Sequence, residues 1–255
     1  MNEKKVALLK RHIPFYYLFR HFKQLFSPKE FEYVLLSNNL NRYDVFIDVG
    51  ANLGVYTFLF SRSAADVYAL EPNPFLYEYL SAILKKKVKL INCAASSKSS
   101  VASLYIPSNE LTSGRSSLVL ENTKAYSGSL VEEKVSTILL TDLVACEEYN
   151  RIFVKIDVEG FEIDVISGCQ GWFENECNVD FMIEIDSGHN KQWSKVFEFM
   201  KENHYKSYYF NGEKMVLMPE LKGLYNLKLY QEWKGKRKKV DNFFFSREDL
   251  STLSC

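Results

Sequence analysis

The sequence predicts an α/β fold built on a mostly parallel sheet with helices on both faces. Three observations predict it. Short β-type runs alternate with helical segments between Asp44 and Asn211, the pattern of a parallel sheet joined by crossover helices. Several of those runs are apolar at nearly every position, as strands buried on both faces are. One of them leads directly into a glycine turn and then a helix at residues 46–57. A length of 255 residues with 47% hydrophobic side chains, 11 Gly and 6 Pro suits one well-filled domain with additions. It excludes disorder and collagen-like repeats.

Upstream of the sheet, residues 6–26 carry Val6, Leu9, Ile13, Tyr16, Phe19, Phe22 and Leu25 near helical spacing, with Pro14 as a kink or break. Ser27-Pro28-Lys29-Glu30 reads as a capping box for a second helix, whose apolar face is Phe31, Val34 and Leu35. We expect residues 1–44 to form an N-terminal helical extension ahead of a domain over 45–255. Residues 1–30 hold seven Lys/Arg against two Glu. Such a basic aromatic helix either packs on the domain edge with its charges in water or rests on an anionic membrane surface through residues 1–26. The edge is the ordinary outcome.

The expected strands are 45–49, 67–70, 88–92, 152–157, 181–185, 205–210 and 242–245, seven in all. Residues 101–138 interrupt the rhythm with two β-like runs around a polar stretch at 108–117, read as an insertion with a mobile loop. The first strand gives the sharpest functional signal. In Phe46-Ile47-Asp48-Val49-Gly50-Ala51-Asn52-Leu53-Gly54, Gly50 and Gly54 permit a tight turn and close approach of a ligand to the backbone. Asp48 would repel the pyrophosphate of a dinucleotide and attract a cationic ligand. S-adenosylmethionine carries an ammonium, a sulfonium and no phosphate. Asn52 stands where a dinucleotide binder has its middle glycine.

The second strand ends at Glu71-Pro72-Asn73-Pro74, which puts an acid where a ribose-binding carboxylate falls, with Asn73 and Pro74 as cap and first residue of the next helix. The third strand runs through Asn92 into Cys93-Ala94-Ala95, whose small side chains leave room for an adenine edge. The candidate cofactor contacts are thus Asp48, Gly50, Asn52, Gly54, Glu71, Asn73, Asn92 and Ala94, with Asp157 added below.

Other function classes are set aside by composition. Lys+Arg and Asp+Glu both number 32, so the chain lacks the global positive field of a general nucleic-acid binder. The longest run free of charged residues is thirteen residues, 49–61, against the roughly 20 needed to span a bilayer. With no signal-peptide pattern, the expected location is the cytoplasm, or the inner face of the membrane if residues 1–26 rest on lipid. Five cysteines (Cys93, Cys146, Cys169, Cys177, Cys255) with no CxxC pair read as reduced, mostly buried thiols.

Taken together, residues 46–54, Glu71-Pro72-Asn73-Pro74, Val154-Lys155-Ile156-Asp157-Val158-Glu159-Gly160-Phe161-Glu162 and Met182-Ile183-Glu184-Ile185 resemble the FkbM family of S-adenosylmethionine-dependent methyltransferases. The resemblance covers about residues 44–210, and the serine-rich stretch near Gly114 resembles the family's insertion. It implies a Rossmann-like class I methyltransferase, a seven-stranded sheet whose final antiparallel strand residues 243–245 supply. It also implies O-methylation of a small-molecule hydroxyl, such as that of a sugar, glycan precursor or polyketide. The first 44 residues and 212–240 have no counterpart in it, and substrate identity is expected there.

Methyl transfer from a sulfonium is an in-line displacement that needs alignment and, for a hydroxyl acceptor, removal of a proton. In the implied fold the loops after the fourth and fifth strands face the methyl group. That brings Asp157, Glu159, Glu184, Asp186 and His189 toward one site, with Asp157, Glu159, Glu184 and His189 as catalytic candidates. Each has an ordinary alternative: Glu159 and Glu162 as helix caps, Lys155 as partner of a strand-end carboxylate, His189 as a loop residue. No clustered acidic motif argues for a metal. The Asn/Asp-Pro-Pro-aromatic run of base-amine methyltransferases is absent after residue 156. The basic run 234–239 either recruits a phosphate-bearing substrate or is a solvated loop. The competing functions are a nicotinamide-dependent oxidoreductase, disfavoured by Asp48 and the glycine spacing, and a degenerate cofactor-binding module docking on a membrane or partner.

Overall fold

The computed structural model describes residues 31–63, 65–84, 87–107, 116–124, 129–186, 192–218, 230–233 and 236–253. The expected helix over 6–26, the capping box at 27–30, most of the polar loop (108–115), His189, Lys234 and Cys255 lie outside the described residues. In chain order the described elements are α1 (Glu32–Asn38), β1 (Val45–Val49), α2 (Val55–Phe60), β2 (Asp66–Leu70), α3 (Pro74–Ile83), β3 (Val88–Ile91), β4 (Ala94–Ala95), β5 (Ser100–Pro107), α4 (Leu120–Lys124), β6 (Leu130–Ile138), α5 (Leu140–Leu143), β7 (Ile152–Ile156), α6 (Glu162–Ser167), α7 (Gln170–Glu174), β8 (Val179–Glu184), α8 (Trp193–Glu202), β9 (Lys206–Phe210), β10 (Met215–Leu217), β11 (Tyr230–Trp233), β12 (Lys236–Lys239) and β13 (Asn242–Ser246).

Eight strands make the main sheet, in the order β10-β9-β13-β8-β7-β1-β2-β3. β3, β2, β1, β7 and β8 are parallel neighbours, and β13 enters antiparallel between β8 and β9. This is the Rossmann-like class I methyltransferase arrangement, with the final antiparallel strand at 242–246. All seven expected strands are there, and the eighth corrects the count. β10 is a three-residue antiparallel edge strand, too short to show an alternation in sequence. The chain places β2 on one side of β1 and β7 on the other, so the strand order reverses at β1, where a crevice opens at the carboxyl ends.

The insertion folds as a second sheet. β5 pairs antiparallel with β6 over eight residue pairs, β4 joins β6, and Leu104, Ile106 and Val135 form a small core of their own. Among the described residues no helix is long and apolar enough to cross a membrane. In α1 and just before it, Leu35 and Phe31 are buried as expected and Val34 is half-buried, with Tyr33 and Leu36 also in the core.

The cysteine expectation is corrected at one pair. Cys146 and Cys177, 31 residues apart in sequence, form a disulfide with Cα atoms 6.0 Å apart. Spacing alone does not reveal it, because the turns before β7 and β8 bring the two together. Cys93 and Cys169 are free and buried.

One face of the sheet is held by an aromatic cluster. Phe46 of β1 stacks on Phe60 of α2 with centroids 4.3 Å apart. Phe153 of β7, fully buried, meets Tyr43, Phe46, Phe60 and Phe244. It therefore ties β1, α2 and β13 to the central strand. Phe153→Ala should cost about 3–5 kcal/mol, read as a lowered urea midpoint. A cost below ~1 kcal/mol, the size of an ordinary surface change, would contradict this packing account.

Candidate active site

The turn after β1 is shaped by its glycines. Gly50 (φ +76°) has no room for a side chain, because a Cβ there would run into the Asp157 carbonyl. Its N–H and that of Ala51 both donate to the Leu70 carbonyl at 3.0 Å, which locks the turn to the end of β2. Asn52 adopts φ +52°, and Gly54 (φ +76°) precedes α2 with its missing side chain facing Leu80.

A cleft of about 570 Å³ opens over this turn, with Gly50, Asn52, Glu71, Ala94 and Asp157 among its walls. Cys93 and Ala95 flank Ala94 there, as their small size suggested. Glu71 is buried, and its carboxylate accepts the Asn52 N–H at 2.6 Å and the Asn73 N–H at 2.9 Å. Desolvation pushes its pKa up from 4.5 to about 7, the two backbone N–H groups pulling against that and the charges of Asp48 and Asp157 adding to it. The Oδ1 of Asn52 is buried with no hydrogen-bond partner among the described residues, an acceptor at the cleft wall.

Four of the sequence-expected contacts lie elsewhere. Asp48 is not in the cleft wall. It is buried beneath, where Thr57 Oγ1 donates to Oδ2 at 2.5 Å and Lys155 stands opposite on β7. Burial raises its pKa, and Lys155 and Thr57 oppose the rise. Gly54 shapes the turn without reaching the cleft. Asn73 caps α3 by accepting the Phe75 N–H at 3.0 Å and donates to Ser116 Oγ at 3.1 Å. Asn92 donates to the carbonyls of Glu71 and Pro72 at 2.8 and 3.2 Å, steadying the turn that carries Glu71.

A second pocket, about 300 Å³, is lined by Asn122, Asp157, Glu159, Gly160, Glu162, Glu184 and Asp186. It brings together three of the four catalytic candidates and Asp186, while His189 lies outside the described residues. Asp157 lines both cavities. Lys155, nearly buried, pairs with Asp157 Oδ2 at 3.0 Å and lies 4.9 Å from the Tyr56 ring centroid. Glu162, the first residue of α6, accepts the N–H of Gly160, which precedes the helix, at 2.7 Å. Lys239 reaches Asp186 at 3.1 Å and Asp241 at 3.7 Å. Among the described residues no group of three or more His, Cys, Asp or Glu is arranged to hold a metal ion.

Ser117 and Asn122 belong to the site without any local sequence signal. Both donate to the Glu159 carbonyl, at 2.9 and 2.7 Å. Glu159 itself has φ +53°, and a Cβ on Gly160 would run into the Asn122 amide. Their partners are backbone atoms 42 and 37 residues away, which no local pattern encodes.

A family model described as a methyltransferase FkbM domain matches residues 48–207. No curated protein matches the chain significantly. Similar solved structures include the precorrin-6y C5,15-methyltransferase of Geobacter metallireducens GS-15, at 14% identity and TM-score 0.42 over 85% of this chain and 86% of that one. Another is an O-methyltransferase of Bacillus cereus in complex with SAH, at 10% identity and TM-score 0.39 over 84% and 77%. A third is the ribosomal protein L11 methylase of Lactobacillus delbrueckii subsp. bulgaricus, at 13% and 0.38 over 84% and 77%.

The Glu71 geometry sets a stability signature. Its folded pKa is raised from 4.5 to about 7, so between those values the native state keeps a proton that the unfolded chain has lost. Stability must then fall as pH rises through that window, by at most ~1.4 kcal/mol per pH unit, and be flat for this group above it. Urea unfolding of the wild type and Glu71→Gln at pH 5, 6, 7 and 8 should show this slope only in the wild type. Parallel profiles would contradict the assignment.

Proposed function

The chain belongs to the FkbM methyltransferase family, and from that premise we propose that it transfers a methyl group to a hydroxyl of a sugar, a glycan precursor or another small molecule. S-adenosylmethionine is its methyl donor, supplying a sulfonium-bound electrophilic methyl group. The observation that carries the reading is the shared residue of the two cavities: Asp157 lines the cleft over the glycine turn and also the carboxylate-rich pocket beside it.

The residues present fit the donor. Glu71, ionised above its raised pKa, offers a carboxylate to ribose hydroxyls. Ala94, between Cys93 and Ala95, leaves space for a flat base. The Asn52 Oδ1 accepts from an ammonium, and the buried Asp48 adds negative potential from beneath. The second pocket is then the acceptor site. Its carboxylates accept hydrogen bonds from hydroxyls, which orients a polyol, and Asp157 aligns the reacting oxygen where the cavities meet. Glu159 and Glu184 are the groups in that pocket placed to take the hydroxyl proton. General-base assistance of this kind is worth roughly 10²–10⁴-fold in rate. Cytoplasmic location and contact of residues 1–26 with a membrane surface remain parts of this proposal.

The division of labour between the cavities is testable. Glu184 lines the second pocket and Glu71 the first, so Glu184→Gln should lower methyl transfer by roughly 10²-fold or more with calorimetric affinity for S-adenosylhomocysteine unchanged. Glu71→Gln should weaken that affinity. Transfer is followed with radiolabelled methyl donor and a pool of cellular glycans and small hydroxyl compounds. Equal weakening of S-adenosylhomocysteine binding by both variants would sink the two-pocket assignment.

A further inference from the structure

The segment 116–124 leaves the insertion and crosses the site. At its start Ser116 accepts the Asn73 Nδ2–H at 3.1 Å, on the β2 side of the cleft. Ser117 is pinned to Tyr105 of β5 by a reciprocal pair of backbone bonds at 2.9 and 3.1 Å. Its hydroxyl and the Asn122 amide converge on the Glu159 carbonyl, on the β7 side. Ser116, Ser117 and Leu118 line the cleft, and Asn122 lines the second pocket. The segment thus bridges the two banks of the site and contributes a wall to each cavity. Its only hold on the β7 bank among these bonds is one carbonyl oxygen shared by two donors.

We propose that Asn122 is a positioning residue that latches segment 116–124 over the bound methyl donor, so that release of its bond to the Glu159 carbonyl governs donor and product exchange. The geometry is specific to the amide. A carbonyl oxygen accepts only from a donor, so the Asn122 contact needs the Nδ2–H. Gly160 must lack a side chain for the amide to sit there. The bond also ties the segment to Glu159, which has φ +53° and lines the second pocket with Asn122.

The inference rests on the cleft being the donor site, and the test separates the two. Association and dissociation rates of S-adenosylhomocysteine are measured on the immobilised full-length chain for the wild type, Asn122→Asp, Ser116→Ala and Glu71→Gln, with a thermal melt of each. Asn122→Asp keeps the shape, removes the donor and sets a carboxylate against the carbonyl. The expected result is a dissociation rate raised about tenfold, an association rate within about twofold, and a melting temperature close to that of the wild type. Ser116→Ala, which frees the other bank at a half-buried position, should raise dissociation in the same sense and serves if Asn122→Asp fails to fold. Unchanged dissociation in both variants, with binding still weakened by Glu71→Gln, would overturn the latch and leave the donor site standing. Absence of binding to the wild type, or binding that Glu71→Gln does not weaken, would overturn both.

Discussion

Where β1 and β7 leave the sheet, the backbone of Gly50 lies against the Asp157 carbonyl so closely that no side chain fits between them, while the Asp157 N–H donates to the Val49 carbonyl at 3.0 Å. This contact fixes the distance between the glycine turn after β1 and the Asp157 carboxylate at the end of β7. A side chain at Gly50 would force the strands apart, and the φ of +76° is itself a conformation that glycine adopts without strain. The spacing of these two strand ends thus begins as a packing constraint between neighbouring parallel strands. The aromatic cluster around Phe153 holds those strands together from below.

Around that contact the chain gathers charge that burial makes expensive. Asp48 and Glu71 are almost wholly buried, and burial raises the pKa of each. Lys155, facing Asp48 across the strand pair and ion-paired with Asp157, offsets part of that cost. One ammonium therefore serves two carboxylates. Asp48 Oδ2 is turned away from the cleft to Thr57, whose hydroxyl donates to it. Asp186 of the second pocket is paired with Lys239, which also reaches Asp241.

Much of this was legible in the sequence, because strand-end positions are set by patterns read locally. The run Phe46-Ile47-Asp48-Val49-Gly50 fixed β1 and the turn, and Asn73-Pro74 announced the cap and first turn of α3, where the structure has them. The strands read at 152–157 and 181–185 ended near Asp157 and Glu184, the family resemblance implied that those ends face one site, and Asp157, Glu159 and Glu184 line one pocket. What escaped was set by side-chain direction or by distant pairing. Asn92 and Asn73 stand at the strand ends, but the amide of exposed Asn92 braces the carbonyls of Glu71 and Pro72 and buried Asn73 caps α3. Ser117 reaches the site through its backbone pairing with Tyr105 of β5, Asn122 follows it in the same segment, and the Cys146–Cys177 pair forms through the turns flanking β7 and β8. β10 was too short to leave a period.

A crystal structure of the full chain with S-adenosylhomocysteine would show whether the cleft over Gly50 seats the donor, with Asp157 at its boundary with the acceptor pocket. The ribose hydroxyls should then lie on the Glu71 carboxylate, the adenine beside Ala94 and the thioether sulfur at the Asp157 end of the cleft. A ligand seated away from Glu71, or a sulfur pointing away from Asp157 and the second pocket, would contradict that placement.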